Sequence, residues 1–385
     1  MLFSKNPDDI KRFLSMNDER RKLIDETPPT PLSTEYGVNT LAKNLHPGYV
    51  KAKLISVTDA GYACKTLRFQ PLGGKKFPYF RAGQYITISK TVGKSFLTRP
   101  YSISSSPKDA LRGILEVTVQ RAGVFSTYLT EQAKVGDVFL LGEPSGDFYC
   151  DDIRDGKNIV AVAGGSGITP FISMAKSLAE GSCDFNLLIV YGAKTRKDLI
   201  VESKDICCSK VKLVVVLSEE QAEGYEHGLI SAEILNKYVP ENYTLFLCGP
   251  NGMYKFLEDV VPKLVHKPRF VRKEHNCVGN LKKDSPKTFS LTVHIRDAVS
   301  VIAAKENETI LTALEKAGLK VPSRCRFGAC GFCHTRLICG EYFVEKENDH
   351  RRKADVKFRY IHPCCTYPLS DMELDVPPIA IEVDV

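Results

Sequence analysis

The sequence predicts a multidomain protein in which an antiparallel β-barrel is followed by an α/β domain with a parallel sheet and by a smaller α+β domain. Short β-type runs separated by Gly, Pro and Ser indicate the barrel. Apolar strands that alternate with helical stretches indicate the parallel sheet. Six of the 13 cysteines cluster near the carboxyl end and mark the third domain. A length of 385 residues suits roughly two to three domains.

The composition excludes several classes of protein. Hydrophobic residues make up 43% and charged residues 26%, so a mostly disordered or collagen-like chain is excluded. The net charge of +7 is too small and too dispersed to predict a nucleic-acid partner. The apolar runs fall far short of the ~20 residues of a membrane helix, and the amino terminus lacks an apolar signal core. The odd cysteine count does not describe a disulfide framework. We therefore expect a cytoplasmic protein without membrane insertion.

The first two segments of the chain are an arm and the barrel. Residues 1–45 are expected to form an N-terminal helical arm, because Ile10, Phe13, Leu14 and Met16 give a short helical stripe before a proline-rich stretch. The barrel is expected over residues 46–152, with strands at 50–57, 65–69, 84–88, 115–120 and 138–141.

The remaining segments are the α/β domain, a linker and the α+β domain. The α/β domain is expected over 153–277, with strands at 159–163, 187–191, 213–217 and 244–248 and helices beginning near Thr169, Ser231 and Met253. A linker is expected at 278–288. The α+β domain, 289–385, should contain a strand at 289–295, a hairpin partner at 299–303 and a helix at 309–317.

Five of the clustered cysteines show a metal-binding spacing. Cys325, Cys330 and Cys333 follow the pattern C-x4-C-x2-C, and Cys364 and Cys365 come about thirty residues later. This is the plant-type spacing of a 2Fe–2S cluster, in which four thiolates hold two irons. Structural zinc is the alternative, but zinc sites usually present two separate pairs of ligands.

The residues around these cysteines resemble the plant-type ferredoxins. Residues 309–333 read TILTALEKAGLKVPSRCRFGACGFC, a helix followed by Pro-Ser-x-Cys and the cluster loop. Residues 364–371 read CCTYPLSD and match the family's Cys-x-x-Tyr-Pro-x-Ser-Asp ending. The resemblance implies a β-grasp-like ferredoxin domain and selects Cys364 as the fourth ligand beside the three cysteines of the loop. Cys339 matches no ligand position and is expected in the core.

Two segments of the barrel have the chemistry to bind a planar ring and phosphates. In Arg99-Pro100-Tyr101-Ser102, the Arg can pair with a phosphate, the Tyr can stack on a ring and the Ser can bond the ring edge. The other segment precedes a helical stretch and is Gly123-Val124-Phe125-Ser126-Thr127. Its backbone N–H groups and hydroxyls suit a pyrophosphate. Together the two segments resemble the R-x-Y-S and G-x-x-S motifs of the flavin domain in the ferredoxin–NADP reductase superfamily. The resemblance implies FAD, and FMN stays open because some relatives with this domain order bind it.

The α/β domain begins with a strand that runs into a glycine-rich turn. Gly164, Gly165 and Gly167 precede Thr169-Pro170, so the backbone can approach a phosphate at a helix N-terminus. This segment resembles the first pyridine-nucleotide motif of the same superfamily. The superfamily's second pyridine-nucleotide motif is matched by Cys248-Gly249-Pro250. The resemblance implies that Thr169 and Cys248 lie near the nicotinamide and Ser102 at the flavin. These three residues are the candidate catalytic groups.

Two features of the α/β domain leave questions open. Lys194, Arg196 and Lys197 could accept a 2′-phosphate or could be solvated loop charges, so NADH and NADPH both stay open. The superfamily often ends this domain with Glu-x-Phe, whereas here Glu274 is followed by His-Asn.

Three cofactor sites on one chain predict an electron converter. A flavin accepts a two-electron hydride and releases single electrons, whereas an iron–sulfur cluster carries one at a time. We expect an NAD(P)H-dependent reductase that takes hydride onto FAD and passes electrons through a 2Fe–2S cluster to a partner redox protein. This is the activity of the reductase components of multicomponent oxygenases, which the chain resembles, and the partner is an oxygenase or reductase component. Two alternatives stay open: an electron-transfer subunit of a larger complex that does not turn over free NAD(P)H, and a flavin-dependent reductase of small molecules.

Overall fold

The structure is a computed structural model that describes residues 7–27, 37–38, 41, 48–206 and 208–379. The chain divides into two compact units, Met1–His46 and Pro47–Val385. In the first unit, helix α1 (Pro7–Glu26) contains the predicted apolar stripe, whose four side chains are 53–63% exposed. None of the described helices has both the length and the apolarity that a bilayer-crossing segment needs.

The segment predicted as a barrel forms a six-stranded antiparallel sheet. Its elements are β1 (Tyr49–Asp59), β2 (Cys64–Pro71), β3 (Tyr85–Val92), β4 (Ser95–Ser102), α2 (Pro107–Leu111), β5 (Leu115–Gln120), α3 (Val124–Thr127), a π-helical turn (Tyr128–Gln132) and β6 (Val138–Gly142). The strand order is β4-β3-β6-β1-β2-β5. A bridge between Ile103 and Val117 joins the two sheet edges, as barrel closure requires. Strand β4 was not predicted, because Pro100 and its polar neighbours interrupt the apolar pattern; an edge strand tolerates proline.

The next segment forms a six-stranded sheet in which every pairing is parallel. Its elements are α4 (Asp152–Asp155), β7 (Asn158–Gly164), a 3-10 turn (Gly165–Ile168), α5 (Thr169–Ala179), β8 (Asn186–Ala193), a 3-10 turn (Arg196–Asp198), α6 (Ser203–Ile206), β9 (Val211–Leu217), β10 (Glu226–His227), α7 (Ala232–Asn236), β11 (Thr244–Cys248), α8 (Asn251–Val260), a 3-10 turn (Val261–Lys263) and β12 (Val271–Lys273). The strand order is β10-β9-β8-β7-β11-β12. The chain adds strands toward one edge of the sheet from β7 to β10 and toward the other edge with β11 and β12, so the winding changes between β7 and β11. The carboxyl ends of these two strands therefore mark the crevice in which such sheets bind ligands.

The third segment forms a five-stranded mixed sheet with one packed helix. Its elements are β13 (Thr288–Ile295), β14 (Ala298–Lys305), α9 (Ile310–Lys316), β15 (Thr335–Cys339), β16 (Tyr342–Val344), a 3-10 turn (Lys346–Asn348), α10 (Lys353–Lys357), β17 (Tyr360–Ile361), β18 (Thr366–Pro368) and β19 (Met372–Asp375). The sheet order is β14-β13-β19-β15-β17, and β16 and β18 form a separate pair. Helix α9 buries Ile310, Leu311 and Leu314 in the core of this domain.

The segment predicted as a linker is hydrogen-bonded to the third domain. The N–H of Val278 donates to the carbonyl of Arg326 at 2.8 Å. The hydroxyl of Tyr367 donates to the carbonyl of Gly279 at 2.6 Å. The start of this segment is therefore fixed against the loop that contains the clustered cysteines.

Candidate functional site

A cleft of about 850 Å³ lies where the three domains meet. Its lining includes residues of the first flavin motif, of both nucleotide motifs and of the cluster loop: Pro100, Tyr101, Ser102, Gly164, Gly165, Gly167, Thr169, Cys248, Gly249, Pro250, Cys325 and Phe327. The second flavin segment, Gly123–Thr127, adjoins the lining residue Ala122 but does not itself line the cleft. The cleft lies at the carboxyl ends of β7 and β11, the position at which parallel sheets bind nucleotides. Motifs that are far apart in sequence thus meet in one cavity.

Strand β4 places its motif residues in two different surroundings. Tyr101 and Ser102 line the cleft, and burial raises the pKa of Tyr101, which stays a neutral phenol. An aromatic ring and a hydroxyl in an open cavity fit a planar flavin ring. The Arg99 guanidinium is engaged elsewhere: it donates two hydrogen bonds to Glu315 of α9, at 2.8 and 3.0 Å.

The Gly123–Thr127 segment forms α3 beside the cleft. The Ser126 hydroxyl accepts the N–H of Gly123 at 2.8 Å, and the N–H of Thr127 donates to the carbonyl of Gly123 at 2.8 Å. Phe125 is 2% exposed in the barrel core, whereas Val124 is exposed. Phe125 therefore anchors the segment, and Ser126 shapes its turn.

The glycine-rich turn after β7 lies directly against the end of β11. A Cβ at position 167 would lie 2.0 Å from the carbonyl oxygen of Cys248, so this approach requires glycine. Thr169 begins α5 and donates its hydroxyl to the carbonyl of Ser166 at 2.9 Å. Burial raises the pKa of the Cys248 thiol well above its usual value, so Cys248 is a neutral thiol at the cleft wall.

The residues after β12 differ from the superfamily's usual ending and make other contacts. Burial raises the pKa of Glu274, which lines the cleft, to about 7. The side-chain amide of Asn276 donates to the carbonyl of Gly249 at 3.0 Å. His275 stacks on Phe327 of the cluster loop, with ring centroids 4.4 Å apart and planes inclined by 13°. The third domain therefore contributes an aromatic ring to the cleft.

Two of the three cations that could accept a 2′-phosphate are paired with carboxylates. Lys194 lines the cleft and pairs with Glu219 at 2.8 Å. Arg196 pairs with Glu220 at 2.6 Å. These two charges are therefore already compensated within the chain.

The four cysteines predicted as cluster ligands lie together. The Cys364 thiol is within hydrogen-bonding reach of Cys325, Cys333 and Cys365, and Cys325 is within reach of Cys330. Two neighbouring pairs of thiols suit the two irons of a 2Fe–2S cluster. The thiol of Cys365 donates to the carbonyl of His362 at 3.4 Å.

The loop around these cysteines is tightly wrapped. Gly328 has φ +93°, and a Cβ there would lie 2.3 Å from the carbonyl oxygen of Asn348. The N–H of Phe332 donates to the sulfur of Cys330 at 3.4 Å, the kind of contact that tunes a cluster's potential. Within the described part of the chain, no three His, Cys, Asp or Glu side chains, these four thiols included, converge closely enough to hold a single metal ion. The expectation that Cys339 lies in the core is wrong: it is exposed at the end of β15.

Sequence reasoning missed three residues that shape this site. Tyr85 lines the cleft from β3, and burial raises its pKa. Phe327 belongs to the cluster loop, but nothing in the sequence predicts that it contacts His275. Glu315 reads as an ordinary helix residue, although it is 3% exposed and binds Arg99.

Family models match all three domains. The model described as oxidoreductase FAD-binding domain matches residues 51–149, and that described as oxidoreductase NAD-binding domain matches 161–259. The model for the 2Fe-2S iron-sulfur cluster binding domain matches 293–369. Fold and site thus define an NAD(P)H-dependent oxidoreductase with a flavin domain and a 2Fe–2S domain, which confirms the predicted enzyme class and cofactor set.

Similar proteins place the chain in a family. The NADH oxidoreductase HCR of Escherichia coli K12 is 30% identical over 302 residues, covering 77% of this chain and 89% of that protein. The glycine betaine monooxygenase reductase subunit of Chromohalobacter salexigens is 26% identical over 325 residues, covering 77% and 87%. The chain belongs to the ferredoxin–NADP reductase superfamily, in the group that carries a C-terminal 2Fe–2S domain.

A solved structure shares the three-domain fold. Phthalate dioxygenase reductase, described as a modular structure for electron transfer from pyridine nucleotides to [2Fe-2S], is 23% identical to this chain. It aligns with a TM-score of 0.60 over 86% of this chain and 98% of its own. The predicted fold class is therefore confirmed.

Proposed function

We propose that this chain oxidises NADH at the cleft and delivers single electrons to a separate redox protein, an oxygenase component. One observation carries the proposal: Tyr101 of the barrel, Cys248 of the nucleotide domain and Cys325 of the cluster loop line the same cavity. A bound flavin supplies the conversion of one hydride into two single electrons. The coenzyme, the flavin ring and the first cluster ligand therefore need no large movement of the chain to meet.

The proposal gives each predicted residue a role. The turn of Gly164, Gly165 and Gly167 holds the coenzyme pyrophosphate, because its backbone comes close to the cleft without side chains. Thr169 and Cys248, with the adjoining Gly249-Pro250, position the nicotinamide. On the barrel, Tyr101 and Ser102 hold the flavin ring, and the Gly123–Thr127 segment lies toward its phosphates. Arg99 keeps its pair with Glu315 and offers a phosphate the N–H groups that this pair does not use.

We also propose the cluster ligands, the domain boundaries and the cellular location. Cys325, Cys330, Cys333 and Cys364 are the four cluster ligands. The domains keep the boundaries 46–152, 153–277 and 289–385. The described cysteines are free thiols, which suits the reducing cytoplasm, where we place the protein.

The ion pairs beside the cleft favour NADH over NADPH. Glu219 and Glu220 neutralise Lys194 and Arg196, and Asp198 lines the cleft. A 2′-phosphate would have to break these pairs or lie beside carboxylates. The name of the Escherichia coli relative, NADH oxidoreductase, agrees with this preference. The measurement is the ratio of kcat/KM for the two coenzymes, which we expect to favour NADH and to fall in Glu219→Gln.

The exposed face of α10 supports an acidic protein as the electron acceptor. Val356 and Phe358 are 51% and 61% exposed. The exposed charged side chains over residues 352–359 are all cationic: Arg352, Lys353, Lys357 and Arg359. An apolar centre with a cationic rim is suited to an acidic protein surface. The glycine betaine monooxygenase relative is named a reductase subunit, which supports an oxygenase as the acceptor.

The decisive experiment follows the electrons through the holoprotein. NADH is mixed anaerobically with the enzyme, flavin bleaching is followed by absorbance, and the cluster is followed by electron paramagnetic resonance. We expect flavin bleaching followed by cluster reduction. In Cys330→Ser we expect flavin bleaching without reduction of a one-electron protein acceptor. If NADH leaves the wild-type flavin oxidised, the chain is an electron-transfer subunit instead; if Cys330→Ser still reduces the protein acceptor at the wild-type rate, the order of carriers is wrong.

A further inference from the structure

A buried carboxylate joins the barrel to the cluster loop. Glu315 of α9 is 3% exposed and accepts hydrogen bonds from Arg99 of β4 at 2.8 and 3.0 Å. It also accepts a hydrogen bond at 2.7 Å from Arg326, which is 5% exposed. One carboxylate thus binds two guanidinium groups that come from different domains.

The position of Arg326 makes this network relevant to the cluster. Arg326 directly follows Cys325, and its φ is +59°, a backbone conformation that residues other than glycine rarely adopt. Its carbonyl accepts the N–H of Val278 at 2.8 Å. The loop is therefore held at its backbone by the linker and at its side chain by Glu315.

Two further contacts bring the same surfaces together. Arg324, on the other side of Cys325, pairs with Glu143 of the barrel at 2.6 Å, in more exposed surroundings. A Cβ at Gly318, just after α9, would lie 3.0 Å from the carbonyl oxygen of Lys94, so the end of α9 packs directly on the turn between β3 and β4. Glu315 is the buried member of this contact surface.

We propose that Glu315 is a positioning residue for electron transfer: its carboxylate holds the cluster loop against β4 and so keeps Cys325 at the wall of the cleft. A charge-assisted network of three side chains fixes geometry more firmly than neutral contacts do. Removing the carboxylate charge leaves two guanidinium groups facing each other in a desolvated site, which favours separation of the two surfaces. This role rests on the proposed passage of electrons from the cleft to the cluster.

The chain offers a matched control in the same domain. Glu308 is also 3% exposed and also pairs with a cation, Lys316, but both partners lie within the third domain. Replacing Glu308 by Gln removes a buried carboxylate charge without touching the contact with the barrel. A loss caused by Glu315→Gln and absent from Glu308→Gln is therefore specific to that contact.

The test compares the two full-length holoproteins with the wild type. Stopped-flow absorbance gives the rate of flavin reduction by NADH and the rate of the following cluster reduction. Hydrogen exchange of residues 95–102 and 324–327 reports directly on the contact and does not depend on turnover. In Glu315→Gln we expect flavin reduction at the wild-type rate, cluster reduction slower by roughly tenfold or more, and faster exchange in both segments. In Glu308→Gln we expect wild-type values for all three.

Several results would overturn the positioning role. One is wild-type cluster reduction in Glu315→Gln; another is an equal loss in Glu308→Gln. If Glu315→Gln does not assemble its cluster, Glu315→Asp keeps the charge but shortens the reach, and wild-type transfer in that variant also refutes the proposal. A wild-type flavin that NADH does not reduce refutes the proposed function instead, so the two failures are distinguishable.

Discussion

Replacing Gly167 with alanine is expected to disable the coenzyme side of the cleft. The new Cβ would lie 2.0 Å from the carbonyl oxygen of Cys248, 2.5 Å from its carbon and 2.8 Å from the nitrogen of Gly249. All three are backbone atoms, so no side-chain rotation relieves the clash. Normal contact needs about 3.5 Å, and the two turns must therefore separate by more than about 1 Å. A displacement of this size can cost on the order of 100-fold in rate, and overpacking costs about 1–3 kcal/mol of stability.

The assay is the rate of flavin reduction at increasing NADH concentration, together with urea unfolding. We expect Gly167→Ala to raise the NADH concentration for half-maximal rate, to lower the limiting rate and to keep the visible absorbance of the cluster, since the substitution lies outside the third domain. The control is Gly48→Ala, where a Cβ meets nothing within 4 Å and no cleft residue is involved. Wild-type kinetics in Gly167→Ala would show that the backbones of the two turns do not approach each other as the structure has them.

Three further predictions concern the cluster, the buried carboxyl and the electron acceptor. Cys364→Ser should abolish the visible absorbance of the cluster and Cys365→Ser should preserve it, because the Cys364 thiol is within reach of both Cys325 and Cys333 whereas the Cys365 thiol donates to the carbonyl of His362; the reverse result would exchange the ligand assignment. Since burial raises the pKa of Glu274 to about 7, the folded state binds its proton more tightly than the unfolded chain, and the stability this provides at acid pH is lost as pH rises through 7. In urea unfolding, the free energy of unfolding of Glu274→Gln relative to the wild type should therefore be higher at pH 8 than at pH 5.5. An equal difference at both pH values would contradict the raised pKa of Glu274. The double variant Lys353→Glu/Lys357→Glu should reduce an acidic redox protein such as cytochrome b5 several-fold more slowly at low ionic strength, with unchanged flavin reduction; an unchanged salt dependence would exclude this face as the docking surface.

The sequence predicts the buried elements of this fold better than its edges. Strands β5 and β11 have the predicted bounds, since continuous apolar runs between turn residues describe a buried strand well. Strand β4 escaped prediction because its sequence, SFLTRPYS, mixes polar residues with a proline that only an edge position accepts. The short strands β16 to β18 also escaped, because two or three residues carry no periodicity.

The candidate site divides in the same way between local and long-range features. Gly164 to Thr169 and the cluster loop could be recognised because each motif performs its chemistry within a few consecutive residues. The pair of Arg99 and Glu315 spans 216 residues, and nothing local to either residue indicates the other. The motif predicts that Arg99 binds an anion, and only the fold shows that a carboxylate of another domain is within its reach.

The cluster loop contacts two different surfaces, one for the proposed entry of electrons and one for their proposed exit. Cys325 lines the cleft, so in the proposed order of carriers it is the predicted cluster ligand that faces the coenzyme. Cys333 is followed by His334, which stacks on Tyr360 with centroids 4.0 Å apart and lies 3.7 Å from Asp355 of α10. The two cysteines therefore lie toward different surfaces, Cys325 toward the cleft and Cys333 toward α10. It follows that Glu315→Gln should slow cluster reduction, whereas charge reversal on α10 should slow only the reduction of the acceptor; identical kinetic effects of the two changes would mean that entry and exit share one surface.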